Sequence, residues 1–140
     1  MSEKFKIYSE FIKDLSSETK DLETYLYVKE YLKNYNLNIE ISSKPLKNRF
    51  IEVNTKLNYV DNSESINKAF FEIIYVTIVK INEEINDRKI MEKIILCEVQ
   101  NKIYNNLEKV FINLLRDSGY PGAKIEKKID FEKLYNQKLS

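Results

Sequence analysis

An α+β fold built on a sheet with one solvated face is predicted by three stretches of the chain. Residues 50–60 alternate strictly, with Ile51, Val53, Thr55, Leu57 and Tyr59 on one side and Glu52, Asn54, Lys56 and Asn58 on the other. That is the pattern of a strand with one wet face. Residues 69–81 form a second strand that is apolar on nearly both faces. Phe71, Ile73, Tyr75, Thr77, Val79 and Ile81 share one face, and Phe70, Ile74, Val76 and Ile78 the other. Such a strand needs cover on both sides, from helices or from another subunit. Residues 106–117 place Leu107, Val110, Phe111, Leu114 and Leu115 on one helical face.

Taken in order, residues 3–17 read as an amphipathic helix. Phe5, Tyr8, Phe11, Ile12 and Leu15 recur at three- and four-residue spacing. Ser2 is its candidate cap, and Ser16-Ser17 its end. In residues 18–42 a rough helical spacing (Leu22, Tyr25, Leu26) gives way to tyrosines and to alternating Leu37, Ile39 and Ile41. This places a strand at about 27–42, broken by Ser42-Ser43-Lys44-Pro45. Asp61 to Ser65 is a turn, and residues 82–88 are a charged turn. Residues 89–103 admit two readings. Leu96, Val99, Ile103, Leu107, Val110 and Leu114 fit one face of a single helix from about 88 to 117. The apolar run Ile94–Cys97 fits a buried strand equally well, with Asn105-Asn106 as a break before the next helix. Gly119 suits the C-terminal cap of helix 106–117, and Pro121 prevents its continuation. Ile129–Lys138 reads as a short final helix, capped by Asp130, with Phe131, Leu134 and Tyr135 on its apolar face.

Composition bounds the function. The 140 residues suit a single domain, with 1–20 as a helical N-terminal extension and 27–140 as the core. There are 23 basic and 22 acidic residues, a net charge of +1, so no strongly basic face is expected for nucleic acid. The basic residues include only Arg49, Arg88 and Arg116 as arginines, and bidentate phosphate readout is an arginine speciality. No histidine is present, which removes the commonest general base and metal ligand. Cys97 is the only cysteine. It lies in an apolar run, reads as a buried structural thiol, and fits a reducing cytoplasm. The longest apolar stretch, Ile73–Val79, is too short to span a bilayer. No catalytic residue, metal or cofactor is expected, and an enzyme is a distant reading.

The second half resembles the export chaperone SecB and its relatives. Phe70-Phe71-Glu72-Ile73-Ile74-Tyr75-Val76-Thr77-Ile78 is similar to that family's third strand, and Ile95-Leu96-Cys97-Glu98-Val99-Gln100 to its fourth. Ser118-Gly119-Tyr120-Pro121, followed by Ile129 to Tyr135, is similar to its closing turn and helix. Ile39-Glu40-Ile41 and Ile51 to Leu57 are candidates for its first two strands. The resemblance implies a four-stranded antiparallel sheet with helices on one face, to which helix 3–17 is an addition. It makes 89–103 a strand, against the helical periodicity. The family's long crossover after the fourth strand is missing, since Gln100 reaches Leu107 almost directly.

The resemblance also implies a function. The protein is expected to hold unfolded or extended polypeptides, a preprotein or an antitoxin, in apolar grooves without ATP. Val53, Leu57, Tyr59, Phe131, Leu134 and Tyr135 are the candidate client contacts. Glu83 and Glu84 faintly echo the acidic surface that meets the export motor ATPase. A homo-oligomer, dimer or tetramer, is implied, with Phe71, Ile73 and Tyr75 as candidate interface residues. Two alternatives stay open: a dedicated chaperone of one client such as an antitoxin, and a phage or mobile-element binder inhibiting one target.

Overall fold

The computed structural model describes residues 3–125 and 128–139. The chain runs β1 (Phe5–Glu18), α1 (Leu22–Glu30), β2 (Tyr35–Pro45), β3 (Phe50–Asp61) and β4 (Phe70–Ile81). One long helical run, α2, then follows: Arg88–Lys93, a π-helical turn at Ile94–Glu98, and Val99–Asp117. Its junction residues Lys93, Ile94, Glu98 and Val99 all keep right-handed helical backbone angles, so the run is continuous. A short helix, α3 (Phe131–Leu139), follows it. The strands form a four-stranded antiparallel sheet in the order β1-β4-β3-β2. The fold class expected from sequence is thus the one observed. The sheet's element assignments shift, however.

Residues 3–17 form no helix; they are the first strand of the sheet. The register against β4 slips between Ile7 and Ser9 and again between Ile12 and Asp14. Each slip leaves one extra residue, Tyr8 and then Lys13, as a β-bulge. The bulges stretch the two-residue alternation, so Phe5, Ile12 and Leu15 share the helix-covered face at helix-like spacing, and Phe11 on the opposite face completes the imitation. The capping role expected of Ser2 lies outside the described residues.

Residues 27–42 also divide differently. Asp21 caps α1 by accepting the Thr24 amide at 2.8 Å, and Thr24 and Val28 bury one helical face. A 3₁₀ turn at Leu32–Asn34 delays the strand to Tyr35.

Residues 89–103 are helical, and the strand implied by the resemblance is not formed there. β4 already has β1 on one side and β3 on the other, so a strand following Ile81 finds no place beside it. Ile94, Ile95 and Cys97 are buried and belong to the core. The strands matched to the family's third and first two are therefore the fourth, second and third of this sheet. The link from the fourth strand to the main helix is short all the same, residues 82–87. Arg49 holds it in place, donating from Nη2 to the Asn82 carbonyl at 2.7 Å and to the Ile85 carbonyl, and from Nη1 to Asn86 Oδ1 at 3.3 Å.

The core lies between α2 and one face of the sheet. Val53, Leu57, Phe71, Ile73 and Val79 from the strands meet Val99, Leu107, Phe111 and Leu115 from α2, all fully buried. Phe71, Ile73 and Tyr75 are therefore spent inside the protomer, under the chain's own helix and Tyr120. They are not surface residues available to a second subunit. A buried polar pair ties helix to sheet: Gln100 Nε2 donates to Thr55 Oγ1 at 2.9 Å. Cys97 is buried, and burial pushes its thiol pKa up, which keeps it protonated and inert.

Gly119 ends α2 with φ +105°, and a Cβ there would meet Tyr25 Cε1 at 2.8 Å. Tyr25 donates its hydroxyl to the Gly119 carbonyl at 2.8 Å and packs its ring on Tyr120. Thr19 and Tyr120 hydroxyls share a hydrogen bond of 2.8 Å. The end of β1, α1 and the turn after α2 therefore meet at one aromatic post.

Burial raises the phenol pKa of Tyr35, Tyr75, Tyr104 and Tyr120 above the ordinary value. These groups hold their protons more tightly when folded. Their contribution is complete below about pH 10, the unfolded value, and is lost as pH climbs through the folded values. With no histidine to titrate, the thermal midpoint should stay flat from about pH 5.5 to about pH 8, above which the raised thiol of Cys97 begins to count. It should fall steeply above about pH 10. Differential scanning fluorimetry across that range checks this; a midpoint that slopes through pH 6–8 would contradict it.

Candidate binding groove

β2 is an edge strand with β3 as its one strand partner among the described residues. One side of its backbone therefore carries N–H and C=O groups without a strand to pair them. Its side chains alternate. Leu37, Ile39 and Ile41 lie half-buried on the face that carries the helices, opposite Tyr59, Leu57 and Thr55 of β3. Asn36, Asn38, Glu40 and Ser42 are exposed on the other face.

The chain after Gly119 returns to stand opposite β2 without closing on it. Between them lies a cavity of about 770 Å³, with Leu37, Ile39, Tyr59, Ile125, Ile129 and Leu134 as its apolar lining. Lys33, Lys124, Lys128, Lys133 and Asp130 stand around it. Asp130 is engaged as the cap of α3, accepting the Lys133 amide at 3.1 Å. A second hollow of about 490 Å³ continues along β2, between Ile41, Ser42 and Ser43 on one side and Ile95, Leu96 and Tyr135 on the other. Tyr135 is fixed there by donating to the Lys89 carbonyl at 3.2 Å. From Leu37 to Ser43 the two hollows span about 20 Å, room for about six extended residues.

The residues expected to contact clients divide. Leu134 stands in the groove, 39% exposed. Tyr59 borders it from a mostly buried position, stacked near Tyr35 with ring centroids 5.4 Å apart. Tyr135 borders the second hollow. Val53 and Leu57 have no exposed surface and belong to the core. Phe131 is 3% exposed and packs edge-on against Tyr104, with centroids 5.3 Å apart. Leu37, Ile39, Ile41, Ile125 and Ile129 were not among the expected contacts, and they supply much of the apolar lining. Glu83 and Glu84 are exposed on the turn that Arg49 anchors.

The opposite face of the sheet carries no helix among the described elements. Lys56 bridges Glu72 at 3.4 Å and Glu40 at 3.6 Å there, and these carboxylates hold the Lys56 pKa above its usual value. Tyr8 and Phe11 are about half exposed on the same face, and Tyr8 meets Phe50 edge-on at 5.0 Å.

The groove offers apolar surface and a free strand edge, which suit an extended peptide that adds to β2 and turns alternate side chains inward. Truncation should separate groove from core. Leu57→Ala should cost about 2–5 kcal/mol of stability, and Leu134→Ala less than about 1 kcal/mol. Urea unfolding of both variants checks this; equal losses would place Leu134 in the core.

The family described as preprotein translocase subunit SecB matches residues 1–140. A putative protein-export protein SecB of Pelagibacter ubique is 57% identical over 140 residues, covering all of both chains. A SecB-like chaperone of Mycobacterium tuberculosis, solved with a peptide from the HigA1 antitoxin, has a similar fold. It superposes with a TM-score of 0.63 at 11% identity, over 90% of this chain and 91% of that one.

Proposed function

The chain belongs to the SecB family, and we propose that it is an ATP-independent holding chaperone that captures extended segments in the groove between β2 and α3. The observation that carries this reading is the apolar groove beside an unpaired strand edge. Leu37, Ile39 and Ile41 bury client side chains at about 25 cal/mol per Å² of apolar area, with Tyr59 beside them on β3 and Leu134 and Tyr135 opposite. The β2 backbone adds hydrogen bonds that are indifferent to client sequence. Capture and release by such contacts need no nucleotide and no catalytic group.

Its 57% identity to a putative export protein favours preproteins as clients over a single antitoxin. Work ahead of export puts the protein in the cytoplasm. Glu83 and Glu84, exposed on an anchored turn, are the contact offered to an export motor ATPase. Assembly into a dimer or tetramer would multiply weak groove contacts into avidity. The surface for it is β1, an edge strand with Tyr8, Phe11, Ile12 and Leu15 all at least 43% exposed.

The wild-type chain should suppress aggregation of two unrelated chemically unfolded proteins. The Ile39→Asp/Leu134→Asp double variant should need at least about tenfold more protein for the same effect, since it loses two apolar contacts. Light scattering measures both, with circular dichroism confirming that the variant folds. A folded wild-type chain that protects neither substrate would sink the holding reading.

A further inference from the structure

We propose that the groove selects acidic clients: extended segments whose apolar residues are interleaved with or flanked by Asp and Glu. The inference rests on the groove being the client site. It comes from an uneven distribution of charge. The chain as a whole is almost neutral, at net +1. Yet Lys33, Lys124, Lys128 and Lys133 all line the larger hollow, and among its described lining residues Asp130 is the one carboxylate. That carboxylate is turned to the α3 amides as a cap. Lys33, Lys128 and Lys133 are exposed, and together the lysines surround a floor made of Leu37, Ile39, Ile125 and Ile129.

A segment added to β2 points every second side chain at this floor and the others away from it. Carboxylates at the outward positions, or just past the apolar stretch, come within reach of the lysine ammonium groups. Lysine suits loose selection. Its flexible stem and point charge reward a nearby carboxylate without demanding the fixed geometry that arginine imposes. Charge would therefore bias the choice of client while leaving its sequence free.

The second hollow lacks this rim. Among its described lining residues the one charged side chain is Glu92, which pairs with Arg88 at 3.7 Å. The carboxylates of a client therefore belong at the Leu37 end of the groove, and neutral residues at the Ser43 end. This polarity sets the direction in which a segment lies along β2.

The chain has no tryptophan, so a single tryptophan in a peptide reports binding by its own fluorescence. Three peptides with one shared apolar core, flanked by Glu, Ser or Lys, would be titrated with the full-length protein at low salt and at about 0.5 M salt. At low salt the Glu peptide should bind about tenfold more tightly than the Lys peptide, and the gap should shrink to about twofold at high salt. The Lys33→Glu/Lys128→Glu/Lys133→Glu variant should reverse the order, and the corresponding Gln variant should abolish it. Equal affinity for all three peptides, or preference for the Lys peptide, would overturn the inference while leaving the groove as the client site. Failure of every peptide to bind would overturn both.

Discussion

One helix has to cover a four-stranded sheet, and most of the molecule follows from that mismatch. Strands lie about 4.8 Å apart, so four of them present a surface wider than one helix of about 10 Å can shield. The helix Arg88–Asp117 settles over the middle. There Leu57, Phe71, Ile73 and Val79 meet Val99, Leu107, Phe111 and Leu115 with no exposed surface. The buried Thr55–Gln100 pair fixes where along the sheet the helix sits, because sliding it would strand both polar groups without partners. The outer strands are left with less. Leu37, Ile39 and Ile41 on β2 are only half-buried, and Ile12 and Leu15 on β1 are 43% and 45% exposed. The groove is the uncovered margin of the sheet.

What turns that margin into a groove is the path of the chain after the helix. Gly119 takes a left-handed turn that L-residues rarely adopt, and Tyr25 leaves no room for a side chain there. Tyr120, packed on Phe71 with ring centroids 5.3 Å apart, holds the turn against the core. The following residues then face β2 across a gap rather than packing flat upon it. A small hinge of tyrosines and one glycine thus places Ile125, Ile129 and Leu134 opposite an edge strand.

The parts of this arrangement that were legible in the sequence are those whose pattern is local. The alternation of 50–60 and the doubly apolar run 69–81 became β3 and β4. The helical face of 106–117, the Gly119 cap and the final helix also stand as read. β1 escaped because two bulges break its alternation and it carries apolar residues on both faces, which together imitate helical spacing. The run Ile94–Cys97 fits strand and helix alike, and the family resemblance favours the strand, which the structure does not form. The resemblance identifies the family but sets its strands one out of step, because β1 carries helix-like spacing. The periodicity from Leu96 to Leu114 is that of the continuous helix. The site was less legible still. Leu134, Tyr59 and Tyr135 border the groove, but Val53 and Leu57 share the same alternation and lie in the core. An apolar side chain reads the same whether its neighbour is a helix or a gap. Only the order β1-β4-β3-β2 makes β2 an edge, and so makes Leu37, Ile39 and Ile41 available.

The central claim is that the β2 margin receives extended chain by strand addition, and amide hydrogen exchange tests it most directly. Exchange would be followed by mass spectrometry with and without a permanently unfolded client protein. The account predicts new protection concentrated in residues 35–45 and in α3, with little change on the exposed face of the sheet. Protection confined to β1 or to that exposed face, with residues 35–45 exchanging as in the free protein, would contradict it.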